Sequence, residues 1–205
     1  MNEENTQKEV NMSSNVRRVY VEKKAGLDNE SRALLGEIKG ILGIDSVTGV
    51  RVLNRYDVEM ADEELFRRAV RTVFSEPQLD IATAEVNLPD ATVFAVEPLP
   101  GQFDQRADSC EQCIQILTQG ERCKVKNARV YIVNGKLSAA EMSQLKSYII
   151  NPVESREASL DEVDTLVTEY EIPTEVETLS NFIYLEEVEL VNFINKYGLA
   201  MDLDD

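Results

Sequence analysis

The 205-residue chain contains no histidine and no tryptophan. Without imidazole it cannot by itself build a Ser-His-Asp or Cys-His catalytic arrangement, nor a histidine-based metal site. Its nine glycines stand mostly alone at turns, and neither the Walker nor the dinucleotide glycine pattern occurs. No loop therefore wraps a phosphate with backbone amides alone. No apolar run approaches the ~20 residues that span a bilayer. Residues 1–14 are polar and lack the apolar centre of a secretory signal, so residues 1–15 read as a disordered leader. Three cysteines, an odd number outside any disulfide framework, suit a reducing cytoplasm. Basic residues are also scarce, 21 Lys and Arg against 38 Asp and Glu, for a net charge of −17. That surplus repels phosphate backbones and argues against a nucleic-acid partner.

What is present is centred on Leu99-Pro100-Gly101-Gln102-Phe103-Asp104-Gln105-Arg106-Ala107-Asp108-Ser109. An apolar strand pattern over 92–96 leads into it, and a helix pattern over 108–118 follows. Pro100-Gly101 breaks the chain into a turn. Asp108 or Ser109 suits the helix N-cap, accepting a free N–H of the first turn. The charged and amide side chains between turn and cap exceed what a turn needs, which suggests a docking surface at the end of a sheet.

Elsewhere, strand patterns fall at 16–22, 50–60, 81–88 and 128–133. Helix patterns fall at 28–42, from a cap at Asp62 to a stop at Pro77, and after the Ser138-to-Glu141 capping box. The punctuation recurs. The interval from Gly26 to Gly101 equals that from Pro77 to Pro152, and the interval from Asp62 to Ser138 differs from it by a single position. The spacing predicts two copies of a strand–helix–strand–helix unit, 16–90 and 91–150, fused into one α+β domain as a pseudo-dimer. From Asn151 onward the pattern changes. Fifteen acidic residues meet two basic ones, Pro173 interrupts the segment, and a clearer helix pattern runs over 185–197. This segment, 151–205, reads as an acidic loop-and-helix linker domain. Its apolar-acidic end suggests a chain cut before its natural terminus.

Two groups of residues invite a chemical reading. Cys110-Glu111-Gln112-Cys113 has the spacing of a redox pair or of half a zinc site, with Cys123 as the one further thiol. Ala107, Cys110, Cys113 or Ile114, and Leu117 also make one apolar helical stripe, so core packing is the reading adopted. Carboxylate runs at Asp62-Glu63-Glu64 and Glu186-Glu187 suit the positive end of a helix better than acid–base work. Arg67 and Arg71, one turn apart, read as members of surface ion pairs.

Residues 99–109, Asn-Pro-Val-Glu-Ser-Arg-Glu-Ala-Ser at 151–159, Asn54-Arg-Tyr-Asp-Val-Glu59 and Phe74-Ser-Glu-Pro77 together resemble a known family. They look like the N-terminal region of large single-chain phosphoribosylformylglycinamidine synthase, a purine-pathway ligase and glutamine amidotransferase. The likeness covers residues 16–205. It implies a domain similar to a fused pair of the small S subunit of multi-subunit versions, followed by a linker domain. It also implies synthetase and glutaminase regions of the same chain as partners, and ATP and Mg only in the full-length enzyme; this stretch itself is expected to be a cytoplasmic monomer with no membrane partner. No catalytic, metal or cofactor residue carries over to this stretch. Its expected role is to couple the two activities. The residues expected to dock are Gln102, Phe103, Asp104, Gln105, Arg106 and Asp108, with Glu154, Arg156 and Glu157. The alternative expectation is a stand-alone module that dimerises through strand pairing, and a weaker one is a small enzyme using the CxxC.

Overall fold

Alternation of apolar and polar residues every second position draws six segments into one antiparallel sheet. A computed structural model describes residues 15–86, 91–120, 122–167, 178–199 and 201–203. In chain order the elements are β1 (Val16–Lys23), α1 (Asn29–Gly40), β2 (Val47–Glu59), α2 (Glu63–Ala69) and β3 (Asp80–Thr83). Then come β4 (Ala91–Pro98), α3 (Gln105–Thr118), β5 (Lys124–Gly135), α4 (Ala139–Ile149) and β6 (Ser155–Ala158). The last turn of α2 widens into a π-helical turn over Val70–Phe74. The strand order is β3-β1-β2-β5-β4-β6, so the fold mixes helices with an antiparallel sheet, as expected. All six strands join one sheet, because β2 and β5 pair along nearly their whole length.

The outer registers share a displacement. Val16 faces Glu59 in β1–β2, and Ala91 faces Asn134 in β4–β5; both partners have advanced by the interval that separates Gly26 from Gly101. Tyr20 faces Thr83 in β1–β3, and Ala95 faces Ala158 in β4–β6, again the same advance for both. At the centre of the sheet Asn54 faces Arg129, its own counterpart at that displacement.

Local chemistry explains most helix ends. Asp62 accepts the Leu65 N–H at the start of α2, and Ser138 with Glu141 forms the expected capping box on α4. Helix α3 starts earlier than expected and corrects the cap assignment. Its N-cap is Asp104, which accepts the Ala107 N–H at 2.9 Å and the Asn127 N–H at 3.2 Å. Asp108 lies inside the first turn. Asp104 wins because its second oxygen also serves β5, a gain that local sequence does not reveal. Strand β3 is shorter than the expected 81–88, whose positions 87 and 88 fall outside the described residues, as do 1–14 and Pro173.

The helices cover one face of the sheet, over two apolar clusters. One joins Val19, Val21, Tyr56, Val58 and Phe74 to Ala107, Cys110 and Ile114 of α3. The other joins Leu34 and Ile38 of α1, with Val47 and Val50, to Phe94, Val96, Val133 and Leu145. On the alternate face, Leu53, Ala95, Ala128, Val130, Ile132 and Ala158 form a third cluster. Burying each large aliphatic side chain contributes roughly 1.5–3 kcal/mol.

The segment 159–167 is tied to this alternate face. Arg18 donates to the carbonyls of Leu160 and Asp161, both at 2.8 Å, and Arg55 donates to that of Ser159 at 2.6 Å. Glu59 accepts the N–H of Leu166. The first compact unit thus runs to Val167, and the chain from Asn151 onward supplies the edge strand β6 to its sheet. The second unit, Thr168–Asp205, contains a 3-10 turn at Phe182–Tyr184 and helix α5 (Glu187–Tyr197). Within it Phe193 packs against the rings of Phe182 and Tyr197. Gly198 ends α5 at φ +61°, the left-handed conformation that suits glycine.

Candidate functional site

The loop between β4 and α3 turns on Gly101, whose φ of +89° disfavours residues with a Cβ. It is fastened to the turn before β6. The Leu99 N–H donates to the Glu154 carbonyl at 2.9 Å, and the Gln102 side chain donates to the Val153 carbonyl at 3.4 Å. Residues 99–104 and 151–155, distant in sequence, therefore form one surface. Phe103 stands on it with 72% of its surface exposed. Gln102, Gln105, Arg106 and Glu154 are exposed as well.

The structure divides the expected docking residues in two. Four of them have partners that account for their polarity. Asp104 caps α3. Asp108 accepts from Arg122, which also binds Glu111 at 2.7 Å, tying α3 to the start of β5. Arg156 pairs with Glu97 at 2.8 Å across β6–β4. Glu157 accepts from Lys146 of α4 at 2.7 and 2.8 Å. Gln102, Phe103, Gln105, Arg106 and Glu154 remain as a surface set. Arg106 touches only the Tyr56 hydroxyl, at 3.4 Å, and has no carboxylate partner among the described residues.

The cysteines are separated by their surroundings. Cys110 is buried in the first apolar cluster, and burial pushes its thiol up to about 12. Cys113 faces water, so the buried stripe of α3 passes through Ile114 and not through Cys113. Cys123 is half-buried, and burial raises its thiol too. Raised values disfavour the thiolate that redox exchange and metal binding need. Among the described residues no group of three or more Cys, Asp or Glu is placed to hold a metal ion. No described helix is long and apolar enough to cross a membrane.

Sequence reading missed a second polar centre on the alternate face. Asp57, 4% exposed, sits between two arginines, Arg18 (Nε–Oδ1 2.5 Å) and Arg55 (Nε–Oδ2 3.2 Å). Burial pulls the Arg55 guanidinium below its ordinary value, with Asp57 opposing and Arg18 adding to the shift. Burial acts on Arg18 in the same sense, but its hydrogen bonds and charge pairing with Asp57 prevail and hold it above its ordinary value. The alternating pattern of β2 contained a signal, since the charged residues Arg51, Arg55, Asp57 and Glu59 fall at alternate positions of the strand. No protein-family model matches this chain, and no curated protein matches it significantly.

Proposed function

We propose that this chain is the non-catalytic N-terminal scaffold of a large single-chain phosphoribosylformylglycinamidine synthase. In this reading it seats the synthetase region against the glutaminase region of the same polypeptide. The exposed set around Phe103, beside the turn at 151–155, is the surface that engages them. Chemistry with ATP, Mg and glutamine belongs to those regions, in the cytoplasm. Coupling needs a seal, because ammonia released into water near neutral pH is mostly protonated, and ammonium is not a nucleophile. A dry interface between the two active regions keeps the neutral species available.

The single observation that best supports this reading is the displacement shared by two independent pairs of strand registers. It matches the spacing of the turn and stop residues in the sequence. It fits two fused copies of a small subunit, the second ending with β6, followed by a linker. The alternative, a module that dimerises through its sheet edges, is less well supported. Both edge strands are four residues long, a length that discourages edge-to-edge pairing.

The test is made in the full-length enzyme with Phe103→Ala and Arg106→Ala combined. Loss of an exposed aromatic anchor and its neighbouring cation should lower glutamine-dependent turnover by about tenfold or more. Turnover supported by added ammonia should stay at the parent level. If glutamine-dependent turnover and the glutamine-to-ATP ratio are both unchanged, the docking role is wrong.

A further inference from the structure

Helix α3 carries a face that the fold does not use. Between residues 109 and 118 its exposed positions are Ser109, Gln112, Cys113, Gln115 and Ile116, none of them charged. Gln105, Ser109, Gln112 and Ile116 follow one another at intervals of four, three and four, which places them in one line along the helix. The two acidic residues of α3, Asp108 and Glu111, are drawn aside by Arg122. The other helices of the first unit differ. Every exposed position of α2 is charged, and α1 exposes Glu30, Arg32 and Lys39. Helix α4 shows no charge outward either, but apart from Gln144 and Tyr148 its exposed residues are Ala and Ser, too small to anchor a partner. Helices α1 and α3 bury residues at the same spacing, Ser31, Leu34 and Ile38 against Ala107, Cys110 and Ile114, which aligns Ile116 with Gly40 and Gln115 with Lys39. The fold thus asks for no isoleucine at this place, yet Ile116 stands 77% exposed. One exposed isoleucine is ordinary, but one that ends an uncharged line matches the depletion of charge at interface centres.

On the scaffold reading above, we propose that this line on α3 is covered by a neutral, apolar-centred surface of the same polypeptide, and so extends the docking surface that begins at Phe103. Size and charge select the occupant. Nine side chains are exposed from Gln102 to Ile116, against about 20–30 residues on each side of a stable interface between separate proteins. So small a face retains a partner when a covalent link holds that partner near, at an effective concentration on the order of millimolar. A second copy of this chain would bring a further net charge of −17 against the first, which opposes association. A strongly charged surface would give up its hydration here and meet no opposite charge along the line.

Cys113, at the edge of the line and open to water, is a built-in reporter. The 205-residue chain and the full-length enzyme are each exposed briefly to a maleimide, and modification at residue 113 is read by peptide mass spectrometry. Cys113 should react at least about tenfold more slowly in the full-length enzyme, because a covered thiol is out of the reagent's reach. Ile116→Lys in the full-length enzyme should return Cys113 to its rate in the 205-residue chain, since an unpaired cation cannot stay buried at the contact. In the 205-residue chain the same substitution should leave the melting temperature in place, because Ile116 is exposed there. Should the full-length variant fail to fold, the comparison of the two parent proteins decides. Shielded Cys113 with unchanged turnover in the Phe103 and Arg106 variant supports this face and removes only the coupling role of the loop. Equal labelling of Cys113 in the two proteins overturns the proposal, whatever that variant does. Protection that grows with the concentration of the 205-residue chain overturns it too, by assigning the face to a second copy.

Discussion

Replacing Asp57 by alanine isolates the buried ion-pair cluster on the alternate face of the sheet. The carboxylate is buried between Arg18 and Arg55, whose side chains are 10% and 6% exposed, and it is the shared partner that keeps the two cations compatible. Breaking a buried ion pair from one side costs roughly 3–5 kcal/mol, because the remaining charge keeps its desolvation penalty. For a unit of this size, a melting temperature falls about 2–4 °C per kcal/mol, giving a drop of roughly 6–20 °C. Local release accompanies it. The two arginines hold the carbonyls of residues 159–161, so limited proteolysis should cut within 159–167 well below the melting temperature. Apolar replacement of all three members, Arg18→Met with Arg55→Met and Asp57→Leu, should recover much of the lost stability, since no uncompensated charge then remains. A melting temperature for Asp57→Ala within about 1 °C of the parent, in calorimetry at neutral pH, would refute this reasoning.

Three further outcomes are expected. With a thiol reagent near pH 8, Cys113 should react at once and Cys123 more slowly, while Cys110, pushed up to about 12, should react only on unfolding; a fast third equivalent in native buffer would contradict the burial of Cys110. Gly135→Ala should destabilise the fold by about 2 kcal/mol or more in urea unfolding, because φ is +137° there and a Cβ would meet the Ser46 carbonyl and the Val47 Cα. The Ser138 N–H and hydroxyl hold the Glu141 carboxyl below its usual range, so the capping box contributes above the ordinary glutamate pKa and is lost as pH falls through the lowered value. Amide exchange at the start of α4 should therefore rise on acidification below the usual carboxylate range, and Glu141→Gln should remove that pH step.

Features set by neighbouring residues are legible in the sequence. The Asp62 cap and the Ser138–Glu141 box each depend on residues within a turn, and each stands where the pattern places it. Asp104 and Asp108 could each cap a helix on local grounds, and the decision between them rests on the Asn127 N–H, which β5 brings in from far along the chain. The apolar stripe of α1 continues in sequence to Ile41, yet Ile41 is 67% exposed, because the helix ends at Gly40 and leaves the sheet there. Among the expected docking residues, Asp108, Arg156 and Glu157 look available in the sequence only because their partners Arg122, Glu97 and Lys146 lie on other elements. The Asp57 cluster is legible only in part for the same reason: alternation puts Arg55 and Asp57 on one side of β2, but strand pairing brings in Arg18 from β1.

Each of the two helix-covered clusters draws side chains from both sides of position 90: Ala107, Cys110 and Ile114 complete the one begun by Val19 and Val21, and Phe94 and Leu145 complete the one begun by Leu34 and Ile38. During synthesis, then, the earlier half emerges with its apolar surface covered only in part, by α1 and α2, until the later half has left the ribosome. That interval exposes the nascent chain to aggregation and to chaperones. It also means that cutting the gene near codon 90 would yield two halves that each expose apolar surface the other covers in the intact chain.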